Sequence, residues 1–121
     1  MAPLPDEALV VRGGLNLPES FAMGSGVTIN VDDKLQGVST NAGPNLSLQQ
    51  LTAANAQTGY PGIPHTQVGV TTVGAVRSAG GEVVASPTRT NPNHATLSGL
   101  TPVQASALFR PTVENPNAHK D

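Results

Sequence analysis

Glycine and proline interrupt this chain so often that no regular element in it can run long. Thirteen glycines and eleven prolines are spread over 121 residues. Glycine punctuates by its backbone freedom, proline by its fixed φ and missing N–H. Their share stays below the level that marks disorder, so the expected outcome is a folded domain of short elements and many turns. Scarce aromatics constrain the core further. Phe21, Tyr60 and Phe109 are the whole aromatic complement and tryptophan is absent. Burial must therefore come from Val, Leu, Ile and Ala, worth roughly 1.5–3 kcal/mol for each of the larger aliphatics. A chain of this length reads as one domain that buries roughly two-thirds of its unfolded surface.

Residues 1–7 read as an N-terminal arm, 8–110 as a single domain and 111–121 as a flexible C-terminal tail. A first strand runs from Ala8 to Val11 and is ended by Gly13-Gly14, with a loop after it that carries Pro18 and Phe21. The alternation of Val27-Thr28-Ile29-Asn30-Val31 is the clearest strand pattern in the chain. A turn at Asp32-Asp33-Lys34 leads to Leu35–Ser39 as hairpin partner, and residues 41–45 read as a loop. Ser47 and Gln50 form a capping box with Leu46 and Leu51 as hydrophobic staple, which predicts a helix over 47–54. Residues 58–64, with Gly59, Pro61, Gly62 and Pro64, must be irregular.

The run 65–70 fits a strand or the opening of the next helix. A helix over 71–79 follows, begun by Thr71 or Thr72 and stopped by Gly80-Gly81. Short strands are predicted at 82–85 and 94–98. The best-marked helix start is Thr101-Pro102-Val103-Gln104, a capping box with proline at the first helical position; that helix runs to about Phe109. The elements add up to an α+β fold, a small, mostly antiparallel sheet with two or three short helices, loop-rich. The echo between Thr90-Asn91-Pro92-Asn93-His94 and the stretch 112–119 is too short for a structural repeat and reads as shared turn composition.

Composition narrows the function classes. Without cysteine, disulfides, thiolate chemistry and cysteine zinc sites are excluded. Three histidines and eight scattered acids show no ligand spacing, so no metal is expected. The net charge of −2 and the lack of a basic stripe argue against general nucleic-acid binding. No apolar run approaches the roughly 20 residues that span a bilayer. The N-terminus lacks signal-peptide regions, so a cytoplasmic protein without membrane contact is expected.

Three positions carry candidate chemistry. Arg12 ends an apolar strand just before two glycines: its guanidinium fork suits phosphate, and glycine lets a ligand approach the backbone. The alternative is a strand-end arginine that is solvated or paired with Asp6, Glu7 or Glu19. His94 and Thr96, two residues apart on a strand, project to the same face as a general acid/base and a hydrogen-bond donor. They equally suit an ordinary strand whose Ala95 and Leu97 face the core. His65 follows Pro64 in an irregular loop, where function concentrates but where polar surface is commoner. Gly24-Ser25-Gly26 is a weak candidate for an anion nest.

The strand ending in Arg12-Gly13-Gly14 resembles the first strand of ADP-ribosyltransferase-like proteins, in which an arginine after an apolar run grips the dinucleotide. A later strand bearing Thr28 or Ser39-Thr40 is similar to the one that supports the nicotinamide side. His94-Ala95-Thr96-Leu97 resembles a stretch near the end of compact bacterial effector toxins of that fold. The resemblance implies a growth-inhibiting toxin domain acting on NAD, with Arg12, Gly13, Thr28, Ser39 and the platform Phe21 or Tyr60 on the cofactor, His94, Thr96 and His65 catalytic, and no metal. It implies a cognate antitoxin or immunity protein, and action in the cytoplasm, including delivery into a target cell as part of a larger effector. The family's glutamate near the last strands has no counterpart, since Glu82 stands at a strand start and Glu114 in the tail. The His-x-Thr strand also resembles the final strand of small metal-independent ribonuclease toxins, in which His94 would act as general acid with His65 or Arg12 as partner. A non-catalytic protein-binding module is the third reading.

Overall fold

The computed structural model describes residues 3–24 and 26–118. In chain order the elements are β1 (Leu9–Gly13), α1 (Pro18–Ala22), β2 (Thr28–Ile29), β3 (Leu35–Gln36), β4 (Val38–Gly43), α2 (Leu48–Thr52), β5 (Gln67–Thr72), α3 (Val73–Ser78), β6 (Glu82–Ala85), β7 (His94–Ser98), α4 (Pro102–Phe109) and β8 (Val113–Glu114). Six strands form one sheet in the order β6-β7-β4-β1-β5-β8, and each neighbouring pair is antiparallel. The fold is a small α+β domain. No element exceeds eight residues, as the density of glycine and proline requires.

The helix starts follow from local chemistry. In both capping boxes the hydroxyl accepts the N3 amide, Gln50 N–H to Ser47 Oγ at 3.1 Å and Gln104 N–H to Thr101 Oγ1 at 3.1 Å. The glutamine reaches back to the cap amide at 2.9 Å in each. Thr72 settles the ambiguous run 65–72. It is the last residue of β5 and also the cap of α3, accepting from Ala75 N–H at 3.1 Å, so strand passes into helix without a loop. Helix α1 lies in a segment that reads as loop, because five residues leave no periodic signal. Pro18 starts it, and burial of Phe21 against Phe109, ring centroids 5.7 Å apart, holds it.

The two faces of the sheet bury different clusters. On one, Val10, Val38, Leu97 and Val83 pack with Phe21, Val76, Leu100 and Phe109 from the helices α1, α3 and α4 and the link into α4. On the other, Val11 and Val68 pack with Leu51 of α2 and Ile63. Gly69 is where the first face is tightest: a Cβ there would lie 2.6 Å from Phe109 Cβ.

Two expectations are corrected. The clearest strand pattern, 27–31, yields only the two-residue β2, paired with β3 in a separate ribbon; Leu35 of β3 is buried, while Val31 is 99% exposed. Alternation alone does not bury a strand: Val27 packs against the core, but Ile29 and Val31 on the same side stay exposed. Of the predicted loop 41–45, residues 41–43 are instead the buried end of β4, and only 44–45 form the exposed turn. Both predicted termini are docked over their described parts. Leu4 is buried and Asp6 pairs with Arg77 at 2.6 Å. β8 adds to the sheet edge, and Asn115 is 3% exposed.

Candidate functional site

The sheet splits between its two central strands. β1 and β4 pair only through Val11–Asn41, yet β1 stays with β5 as far as Gly13 and β4 stays with β7 as far as Val38. Strands that follow different partners diverge, and the gap opens where Gly13 would have faced Ser39. Ladder parity fixes what lines that gap. Gly14 N–H bonds outward to Gln67 O at 2.8 Å, and Ala42 N–H bonds outward to Asn93 O at 2.9 Å. The alternate residues Gly13 and Ser39 therefore turn their main-chain N–H and C=O toward the split.

A cavity of about 260 Å³ fills this gap, and a second of about 350 Å³ adjoins it. Arg12, Gly13, Ser39 and His65 line both, and His94 lines the first. Residues more than 80 positions apart thus meet in one cleft. The guanidinium of Arg12 lies 4.2 Å over the Phe21 ring. Its Nη1 donates to Asn16 Oδ1 at 3.0 Å and its Nη2 to the Ser20 carbonyl at 3.2 Å. Burial pulls its pKa below the ordinary arginine value, though an arginine stays charged at any physiological pH. Of its five N–H donors two are used in these bonds, so the fork is fixed in direction while donors remain for an anion.

His94 is held with a defined tautomer. Its Nδ1 lies 3.0 Å from the Ser86 carbonyl oxygen and 2.9 Å from Ser86 Oγ. A carbonyl only accepts, so in the neutral ring Nδ1 carries the proton and Nε2 is a free base. Nε2 accepts from Ser39 Oγ at 3.2 Å. Ser86 Oγ also meets Thr96 Oγ1 at 2.7 Å. Thr96 thereby acts on His94 through Ser86 and does not line the cavity.

Two asparagine turns brace the cleft. Asn91 Oδ1 accepts Asn93 N–H at 3.1 Å and Asn115 Oδ1 accepts Asn117 N–H at 2.9 Å, the same Asx turn at both copies of Asn-Pro-Asn. Their side-chain amides reach inward: Asn91 Nδ2 donates to Asn41 Oδ1 at 2.8 Å, and Asn115 Nδ2 to the carbonyls of Ile63 and His65, both at 2.8 Å. The echo read as shared turn composition thus supports β4 on one side and the His65 loop on the other. The His65 ring in turn needs Gly13 bare, since a Cβ there would lie 2.4 Å from His65 Nδ1 and 2.7 Å from Ile63 Cγ2. Gly13→Ala is expected to push the ring out of the cleft and cost about 1–3 kcal/mol by overpacking. Urea denaturation and the chemical shifts of His65 check it.

Not every sequence candidate reaches the cleft. Thr28 is exposed on the outlying ribbon and Phe21 is fully buried beneath Arg12. Tyr60, its hydroxyl accepting from Asn41 Nδ2 at 2.9 Å, is the aromatic that lines the cavity. Glu82 bonds Arg77 at 2.8 Å. His119 and Ser25 lie outside the described residues. Sequence reasoning missed Ser86, although pairing 82–85 with 94–98 as a hairpin sets residue 86 opposite His94. It also missed the buried Asn16 and Asn41, which carry no local signal. Among the described residues no group of three or more His, Asp or Glu side chains is placed to hold a metal ion. No helix of the described residues is long and apolar enough to cross a membrane. Comparison with protein-family models, curated proteins and solved structures finds no match.

Proposed function

We propose that this chain is an ADP-ribosyltransferase-like toxin domain that binds NAD in the split between β1 and β4 and breaks its nicotinamide–ribose bond. The observation that carries the reading is the meeting of Arg12, Gly13, Ser39 and His94 in one cleft. Arg12 supplies a pre-oriented cation for the pyrophosphate. Gly13 turns one donor and one acceptor of its main chain toward the gap, the complement of a primary carboxamide such as that of nicotinamide. Tyr60 offers an aromatic wall. His94 Nε2 is a base within hydrogen-bond reach of a hydroxyl at the place where an acceptor would sit. The resemblance described above supplies the toxin setting, a cognate antitoxin or immunity protein, and action in the cytoplasm of the producing or a recipient cell.

The measurement is calorimetric titration of NAD into the intact chain, with chromatography for released nicotinamide. Saturable heat and at least one equivalent of nicotinamide per chain are expected. The absence of both heat and released nicotinamide with folded protein would remove the reading.

One observation favours a second reading. His65 and His94 line the same cavity, and two imidazoles suit general acid–base cleavage of RNA without metal. Incubation with total RNA separates the two, since only a ribonuclease shortens the RNA and leaves NAD intact.

A further inference from the structure

Ser39 stands out because it lines the cleft with a hydroxyl on an otherwise buried strand. Its residue is exposed on β4, whereas its neighbours Val38 and Thr40 are buried. Its side-chain partner is the unprotonated nitrogen of an imidazole whose other nitrogen is fixed by a main-chain carbonyl. A hydroxyl donating to a base that a third group orients is the arrangement of an activated oxygen nucleophile. It lines both cavities, directly across the split from Gly13. No carboxylate lines either cavity among the described residues, and Ser39–His94 is a hydrogen-bonded hydroxyl–imidazole pair within the cleft.

We propose that Ser39 is itself an acceptor: the domain transfers ADP-ribose from NAD to Ser39 Oγ and thereby limits its own turnover. The inference rests on NAD being the ligand of this cleft. In the step, the bond between the ribose anomeric carbon and the pyridinium nitrogen breaks and its electron pair neutralises the ring, so nicotinamide leaves uncharged. The Ser39 oxygen forms the new bond to that carbon, and its proton passes to His94 Nε2. The ring becomes an imidazolium that keeps Nδ1–H on the Ser86 carbonyl and then loses one proton to solvent. The balance is protein plus NAD giving ADP-ribosyl protein, nicotinamide and one proton, with no oxidant or further co-reactant. The product is an O-glycoside, which persists in neutral water, and the attached group fills the cleft against a second NAD.

The test incubates the whole chain with NAD and follows released nicotinamide beside intact-protein mass, then maps the adduct by peptide fragmentation. Nicotinamide release is expected to level off near one equivalent per chain. The protein should gain one ADP-ribose on the peptide holding Ser39, and Ser39→Ala should carry no adduct there. His94→Gln, which leaves Ser39 in place without a base, should slow adduct formation at least 100-fold. Continued nicotinamide release from unmodified protein, or an adduct mapped elsewhere while Ser39 stays free, overturns this inference and leaves the NAD reading standing. Absence of both nicotinamide and adduct overturns the two together. Because the adduct is read on the unsubstituted chain, the outcome does not depend on the folding of a variant.

Discussion

Arg12→Ala should weaken both NAD binding and the fold. The side chain is both the cation of the cleft and a structural clamp. Its guanidinium stacks on Phe21, which is wholly buried, and bonds Asn16 Oδ1 and the Ser20 carbonyl. Asn16 is equally buried and returns its amide to the carbonyls of Arg12 and Gly14, both at 3.0 Å. Ser106 of α4 donates to Asn16 O at 2.8 Å, so the arginine is joined to the helix layer through one asparagine. Removing the guanidinium is expected to cost about 1–3 kcal/mol of stability, the sum of a cation–π contact and a charged hydrogen bond discounted for partial exposure. Affinity for NAD should fall about 10- to 100-fold or more, as loss of charge-assisted bonds to phosphate implies. Arg12→Lys separates the two roles: it keeps the charge and loses the fork, so stability should recover more than affinity. Calorimetry with NAD and urea titration of both variants give the two quantities. An Arg12→Ala protein that binds NAD as tightly as the unsubstituted chain contradicts the assignment.

Asn41→Ala should be the most destabilising substitution near the cleft, by about 2–4 kcal/mol, because two buried groups lose their partner and each unpaired group costs about 1–3 kcal/mol. Asn41 is 5% exposed and donates to Leu51 O at 2.8 Å and to Tyr60 Oη at 2.9 Å. It also accepts from Asn91 Nδ2. It therefore ties α2, the irregular 53–64 segment and the turn before β7 to the central strand. The urea midpoint should fall with an unchanged slope. Asn41→Asp is a sharper version, since it removes two donors and buries a charge. A midpoint unmoved by either substitution would show that the network contributes nothing to the fold.

The cleft was legible in the sequence only in part. Arg12 followed by two glycines at a strand end carries a local signal, as does the His94-x-Thr96 alternation. Ser39 was visible as a hydroxyl on a strand, but Thr28 had an equal claim. What separates them is that β4 enters the main sheet and β2 does not. Gly37, at φ +82°, breaks the hairpin strand so that Leu35–Gln36 stays in the ribbon and Val38 onward joins β7. The buried asparagines 16, 41, 91 and 115 were unreadable for a related reason. Asparagine is locally a turn residue, and its burial is decided by carbonyls that lie 50 or more positions away in three of its bonds here.

By itself the sequence determined the element types at their firmest points, the two capping boxes, the aliphatic core and the shortness of every helix and strand. The capping boxes depend on side chains within four residues of one another, where the cost of loop closure is small, and the aliphatic make-up of the core and the short elements follow from composition. Tertiary structure alone decided that β1 and β4 part after Val11–Asn41, and that the imidazole of residue 94 meets the hydroxyl of residue 39. The split arises because each central strand gains more pairs with its outer neighbour than with the other. That competition is between strands distant in the chain, and no local pattern records its outcome.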